Sequence, residues 1–552
     1  MSPDRQGGAG FNLPTPRWGR IHPANARLRA HVLIRSQQKV ALMTKRLVAL
    51  LSLACLLLPA ASSPAQPTPL GLFTDHADIG IVLHPGSVAY DAAKRTYTIT
   101  GSGENVWATA DAFQFVWKKM EGDFTLSADI SFLGQAGDPH KKAMLMARQS
   151  LDADSVYVDV ALHGDGLASL QFRDFQNPDT HEIQSNIPAP KRLRLQKNGY
   201  QFSMWLAGAD GVFRRAGAST WVPTGGPLYV GLGVCAHDKD AVETAKFSNV
   251  ALETVTSGLP LQPQATLETI DIASTDRRVT YVVNSRDKEK WGDPMAPNWT
   301  PDGASLMFNR DGRMYRVPVA GGKPKLIRSG YPGTHATSFH SISPDGTMLA
   351  FSGYSQDSNL IAIYVVPIAG GVPRRVTGQL PATFGGWSPD GKIIVFMGKR
   401  HGEFGTYTIP AAGGAETRLA TTVAVDLAEY SPDGEYIYFT SGHSGATEIW
   451  RMRPDGQQPE QVTQGGSDYV RHVSIRSFFP RVSPDGRLLA FLAAQVPIRD
   501  GPIDHLTFEL RVMTLADRKT RVLAYLTPSP GQILSPLSWS PDSRRLAFAT
   551  YE

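Results

Sequence analysis

The chain has 552 residues, 42% of them hydrophobic and 19% charged, with 52 glycines, 40 prolines and 2 cysteines. That balance excludes a disordered, collagenous or disulfide-stapled protein and predicts roughly two to four globular domains. The formal charge is +5 and the pI near 9.0, which would suit a nucleic-acid partner only if the positive side chains clustered on the folded part.

They do not. Residues 1–42 hold seven Lys/Arg against one acid, Asp4. A secretory pattern then opens at Met43: Lys45-Arg46 as the basic start, an apolar run from Leu47 to Leu58, and small residues from Ala60 to Ala65. An apolar run of about twelve residues is too short for a bilayer-spanning helix. Residues 43–65 therefore read as a removable signal peptide and 1–42 as an extension upstream of the true start. The expected mature protein is periplasmic or secreted and has no transmembrane segment. From Gln66 onward 46 Lys/Arg meet 49 Asp/Glu, so no nucleic-acid partner is expected. Cys55 falls inside the signal, which leaves Cys235 alone and no intramolecular disulfide.

From 71 to 255 apolar and polar residues alternate over short runs, as in Phe113, Phe115 and Trp117, then Phe124, Leu126, Ala128, Ile130 and Phe132. Turn signals at His163-Gly164-Asp165-Gly166 and Lys197-Asn198-Gly199 separate such runs. The pattern predicts an antiparallel β-sandwich of jelly-roll type. The runs 122–130, 143–148 and 155–160 resemble concanavalin A-like sandwich modules of bacterial secreted proteins. Trp107, Trp117, Trp205 and Trp221 would then be a stacking platform for a glycan or core residues, and core packing is favoured for Trp117 and Trp205. A Pro/Gln/Gly-rich linker occupies 256–266.

From 267 to 552 a turn reading Ser/Thr-Pro-Asp-Gly/Ser recurs six times, beginning at Thr300, Ser343, Ser388, Ser431, Ser483 and Ser540. The intervals are 43, 45, 43, 52 and 57 residues, close to one propeller blade each. Only two strands follow the sixth turn, and the two missing ones are expected at 267–272 and 277–282. This arithmetic predicts an all-β chain ending in a six-bladed β-propeller, closed by pairing its first strands with its last. The repeats resemble the TolB-like propeller family, whose blades carry Ser-Pro-Asp-Gly-Lys-x-Ile-x-Phe. The family's own α/β module is replaced here by the sandwich.

The Pro-Asp-Gly turns are read as structural, and a pocket is expected on the opposite face of the ring. Its candidate ligand-binding residues are Asn298, Trp299, His340, Trp387, His401, Asp426, Glu429, His443, Arg476 and Arg481. His340, His401 and His443 come from successive blades and would be the ligands if a divalent metal bound; no other cofactor is expected. The chain has no His-Glu-x-x-His, phosphate loop or Gly-x-Ser-x-Gly elbow. The leading expectation is an exported, non-enzymatic binding protein that recognises an envelope protein, peptide or glycan, with a sandwich that also binds glycan. The alternatives are a carbohydrate-active lyase or hydrolase with a metal-assisted propeller site, and a Tol-like transport accessory or scaffold.

Overall fold

The computed structural model describes residues 70–551 apart from short internal segments, the longest being 256–264, 284–294, 328–335, 498–506 and 527–535. The expected upstream extension and signal peptide, and most of the linker, lie outside the described residues. All regular structure among the described residues is β. No helix there is long and apolar enough to cross a membrane.

In the N-terminal half, period-two alternation feeds one apolar core from two sheets. Leu126, Ala128 and Ile130 of strand Phe124–Phe132 point into it from a seven-stranded sheet, with Leu193, Leu195, Phe202 and Met204. Leu145, Val158, Val160, Leu170 and Leu232 meet them from a second sheet. Trp117 is buried with Phe113 and Phe115 on the other side of that second sheet, so it is a packing residue. Trp205 is half-buried, its indole N–H donating to Ser203 Oγ at 3.1 Å.

The C-terminal half follows the repeat. Each Ser/Thr-Pro-Asp turn closes the hairpin between the first two strands of a blade, and its chemistry is visible at Ser388. The hydroxyl donates to Asp390 Oδ1 at 2.6 Å and accepts from the Ile393 amide at 2.9 Å, while Asp390 Oδ1 accepts from the Lys392 amide at 3.1 Å. The Ser388 hydroxyl and the Lys392 amide hold the Asp390 carboxyl below its usual range. Gly391 closes the turn at φ +69°, a conformation that disfavours any side chain. Five separate sheets of this kind span 295–326, 336–375, 382–418, 424–461 and 467–526.

The expected sixth separate blade is replaced by something else. Strand Ala265–Asp271 does pair antiparallel with Arg545–Tyr551, from Ala265↔Tyr551 to Asp271↔Arg545, so the two ends of the repeat region are joined. Its neighbour Arg277–Val283, however, also pairs in parallel with His181–Gln184 of the N-terminal half, Ile183↔Arg277 and Gln184↔Arg278. The strands 538–539, 545–551, 265–271 and 277–283 therefore form one end of an eleven-stranded sheet instead of a free blade. Side chains reinforce the junction: both Arg278 Nε and Nη2 donate to Gln184 Oε1 at 3.1 and 2.8 Å, and Asn186 Nδ2 donates to the Thr280 carbonyl at 3.0 Å. Residues 69–552 accordingly behave as one compact unit.

Candidate functional site

The first strands of successive blades, Met295–Trp299, Ala336–Ile342, Ala382–Trp387, Ala424–Tyr430 and Val473–Val482, neighbour one another in order. Ser538–Trp539 closes the circuit between Val473–Val482 and Met295–Trp299. These strands enclose a cavity of about 520 Å³. The residue immediately before each Ser/Thr-Pro faces it: Trp299, Ile342, Trp387, Tyr430, Val482 and Trp539. So do the six turn prolines, and the residues one step further back, which include Asn298, Glu429 and Arg481.

The cavity thus opens at the end that carries the Pro-Asp-Gly turns, which overturns the expectation of a pocket on the opposite face. The reason lies in strand direction. Asn298, Trp299, Trp387, Glu429 and Arg481 are the last two residues of their inner strands, and at about 3.3 Å per residue they stay beside the turn that follows.

The wall is held by its own hydrogen bonds. Trp387 Nε1 donates to the Ser341 carbonyl at 3.2 Å and Trp539 Nε1 to the Arg481 carbonyl at 2.9 Å, so each indole ties its blade to another. Asn298 Nδ2 donates to the Ala296 and His340 carbonyls at 3.0 and 3.1 Å. Arg481 Nε donates to the Leu537 carbonyl at 3.0 Å, and Nη1 pairs with Glu429. Burial pushes the Glu429 carboxyl up, against the pull of Arg481. Glu429 lines the cavity, and its side chain keeps 23% of its surface exposed. Among the described residues it forms, with Arg481, the one charged pair on an otherwise aromatic and proline-rich wall.

The other candidates lie elsewhere. His340 is 3% exposed behind the wall. Neither of its ring nitrogens meets hydrogen-bond geometry among the described residues; the Met307 backbone acts on it only from nearby. His401 and His443 are exposed in turns between second and third strands, at the far end of their blades. His443 stands edge-on to Trp450 at 5.6 Å. The three histidines are not brought together, and no cluster of metal-ligating side chains occurs among the described residues. Arg476 is exposed on Val473–Val482. Asp426 lies in Ala424–Tyr430 opposite Thr440.

Burial lowers the His340 pKa to about 3, below the ordinary value of about 6.5 for an unfolded histidine. The unfolded chain then binds the extra proton first. The stabilisation is complete above about pH 6.5 and is lost as pH falls toward 3. His340→Leu is expected to keep or raise the melting temperature at pH 7 and to make its decline between about pH 6.5 and pH 4 shallower, as scanning calorimetry across that range would show.

A ring of inner strands around a walled, aromatic cavity defines a β-propeller. Residues 340–499 match the family model of the TolB β-propeller domain. An uncharacterized protein of Agrobacterium fabrum (strain C58), Atu1656, is 36% identical over 258 residues, 46% of this chain and 84% of that protein. A solved structure from Agrobacterium tumefaciens, provisionally named TolB, is 32% identical and covers 52% of this chain and 99% of its own, with a TM-score of 0.45. TolB of Acinetobacter baumannii is 14% identical, covers 65% of this chain and 78% of its own, and has a TM-score of 0.33. The chain belongs to the TolB-like β-propeller family.

Proposed function

We propose that the protein is a non-enzymatic binding protein of the bacterial cell envelope, a Tol-like accessory that receives a segment of a partner protein in the channel mouth. In this reading the signal at 43–65 exports it, the two N-terminal sheets are a concanavalin A-like sandwich, and the four strands shared with that sheet act as the sixth sector of the ring. The observation that carries it is the cavity wall: among the described residues, four aromatic residues, six prolines and a single Glu429–Arg481 pair, contributed by every repeat. Rigid aromatic surfaces and a partly desolvated arginine are the groups that dominate protein recognition, and a preformed wall costs little ordering on binding.

Selection of displayed peptides against the exported protein tests it. Peptides should be recovered whose affinity falls about 10- to 100-fold in Trp387→Ala and in Arg481→Ala variants shown by thermal melts to be folded. Selected peptides that bind both variants as well as the parent would count against the channel mouth as the site.

A further inference from the structure

We infer that the protein carries a second binding site, for an alkylammonium group, in a cavity where the N-terminal half meets the propeller. The cavity holds about 190 Å³ and its walls come from both halves. Phe172 and His181 belong to the eleven-stranded sheet, and Trp221 ends strand Phe213–Trp221 of the seven-stranded one. Thr275 and Arg277 come from the turn and strand that close the repeat region, and Tyr525 from Thr520–Leu526, the edge strand of the last separate blade. Ligand sites gather at such seams, where a cleft is walled on several sides without hollowing out either core.

Thr275 holds φ at +63°, in the left-handed region, where a β-branched side chain is strained. Glycine or asparagine would make the same turn at lower cost. Threonine adds a hydroxyl, and its Oγ1 lies 3.0 Å from His181 Nδ1. That contact fixes the imidazole, whose centre lies 5.4 Å from that of the Phe172 ring. Trp221 packs edge-on against Tyr200 at 5.4 Å. Phe172, Trp221 and Tyr525 are all half-buried, so each ring keeps surface that a ligand can cover.

Charge decides what enters. Asp174 and Arg277 are the charged residues among those that line the cavity, and both are more than nine-tenths buried. Arg277 is matched, its Nη2 and Nε donating to Glu268 at 2.8 and 2.9 Å. His181 adds no charge at neutral pH, since burial lowers its pKa against the pull of Asp174 and Asp179. Counting Glu268 with its partner, the lining carries one net negative charge, that of Asp174. An anion would meet no uncommitted cation among the described lining residues, and a metal ion would meet a single carboxylate, too few oxygens to replace its water. An alkylammonium group uses every part of the wall: its charge faces Asp174 and the electron-rich rings, and its alkyl body covers Phe172, Trp221 and Tyr525. The volume lies below that of drug-sized pockets, so the ligand is a small amine or the end of a lysine side chain.

Titration calorimetry of the exported protein with choline, n-butylamine and N-acetyl-lysine amide tests this, with n-butanol and butyrate as neutral and anionic counterparts. At least one of the three cations should bind with a dissociation constant of about 1 mM or tighter, and the one that binds best tells a quaternary ammonium from a free amine or a lysine side chain. Asp174→Asn and Trp221→Ala, both checked by thermal melts, should each weaken binding about tenfold. Where Asp174→Asn fails to fold, Tyr525→Ala takes its place. Bound cation should slow amide exchange in both 213–221 and 520–526, one strand from each half. Arg481→Ala should change nothing, which separates this site from the channel mouth. Binding of none of the cations, binding of butanol or butyrate as tight as that of the best cation, or folded variants that bind like the parent would each overturn the inference.

Discussion

Asp111→Ala is expected to lower the unfolding free energy by about 3–5 kcal/mol, one of the two largest single effects the structure supports. Asp111 has no exposed side-chain surface and lies between two guanidiniums. Arg173 Nη2 donates to its Oδ1 at 2.7 Å and Nη1 to its Oδ2 at 3.1 Å; Arg148 Nη2 lies 3.2 Å from Oδ2. Burial pushes the Asp111 carboxyl up while both guanidiniums pull it down. Removing the acid leaves two buried cations whose other contacts are uncharged: backbone carbonyls, among them Ser150, Asp152 and Ala108, the Thr180 hydroxyl, the Met146 sulfur, and the Phe113 and Tyr157 rings. Those neutral groups satisfy hydrogen bonds and carry no counter-charge. Urea denaturation followed by tryptophan fluorescence checks this, and a loss below about 1 kcal/mol would mean that the cations find another counter-charge.

Glu268→Ala should have an effect of the same order, about 3–5 kcal/mol, in the other half of the molecule. Glu268 is fully buried on Ala265–Asp271 and touches both neighbouring strands. Arg277 Nη2 donates to Oε1 at 2.8 Å and Nε to Oε2 at 2.9 Å; Thr550 Oγ1 donates to Oε1 at 2.8 Å. One carboxylate thus joins the first strands of the repeat region to its last. Its removal strands Arg277, which lies 5.6 Å from the Phe548 ring centre, inside the closure itself. Loss of stability should be accompanied by faster exchange of the amides of 545–551 than of those in 393–400. Uniform exchange across the blades would contradict a closure that depends on this residue.

Sequence reading located the closing strand that carries Glu268 but not the buried partners of either carboxylate. The Ser/Thr-Pro-Asp turns announce themselves because proline and aspartate have conformational meaning at fixed positions, and the pairing of 265–271 with 545–551 followed from counting strands. The parallel pairing of Arg277–Val283 with His181–Gln184 leaves no such mark, since it joins segments nearly a hundred residues apart through backbone groups that any sequence carries. Alternation also misleads when both sheet faces are covered. Lys142, Arg148 and Asp159 alternate with core residues and are themselves buried.

In the channel, Asn298, Trp299, Trp387, Glu429 and Arg481 were legible as candidates but were assigned to the wrong end of the ring. Aligning the six repeats on their Ser/Thr-Pro step, and taking the two residues before it, picks out the wall directly, including Ile342, Val482, Ser538 and Trp539. His401 and His443 were drawn in by residue type alone, and the fold keeps them apart from that wall.

The most direct measurement is photo-crosslinking in the producing cell, with a photoreactive amino acid placed at Trp387 in the channel mouth or at His401 in the turn at the far end of the same blade. The channel reading predicts a discrete crosslinked partner protein from position 387, lost on Arg481→Ala, and none from position 401. Crosslinks from 401 with none from 387 would contradict it.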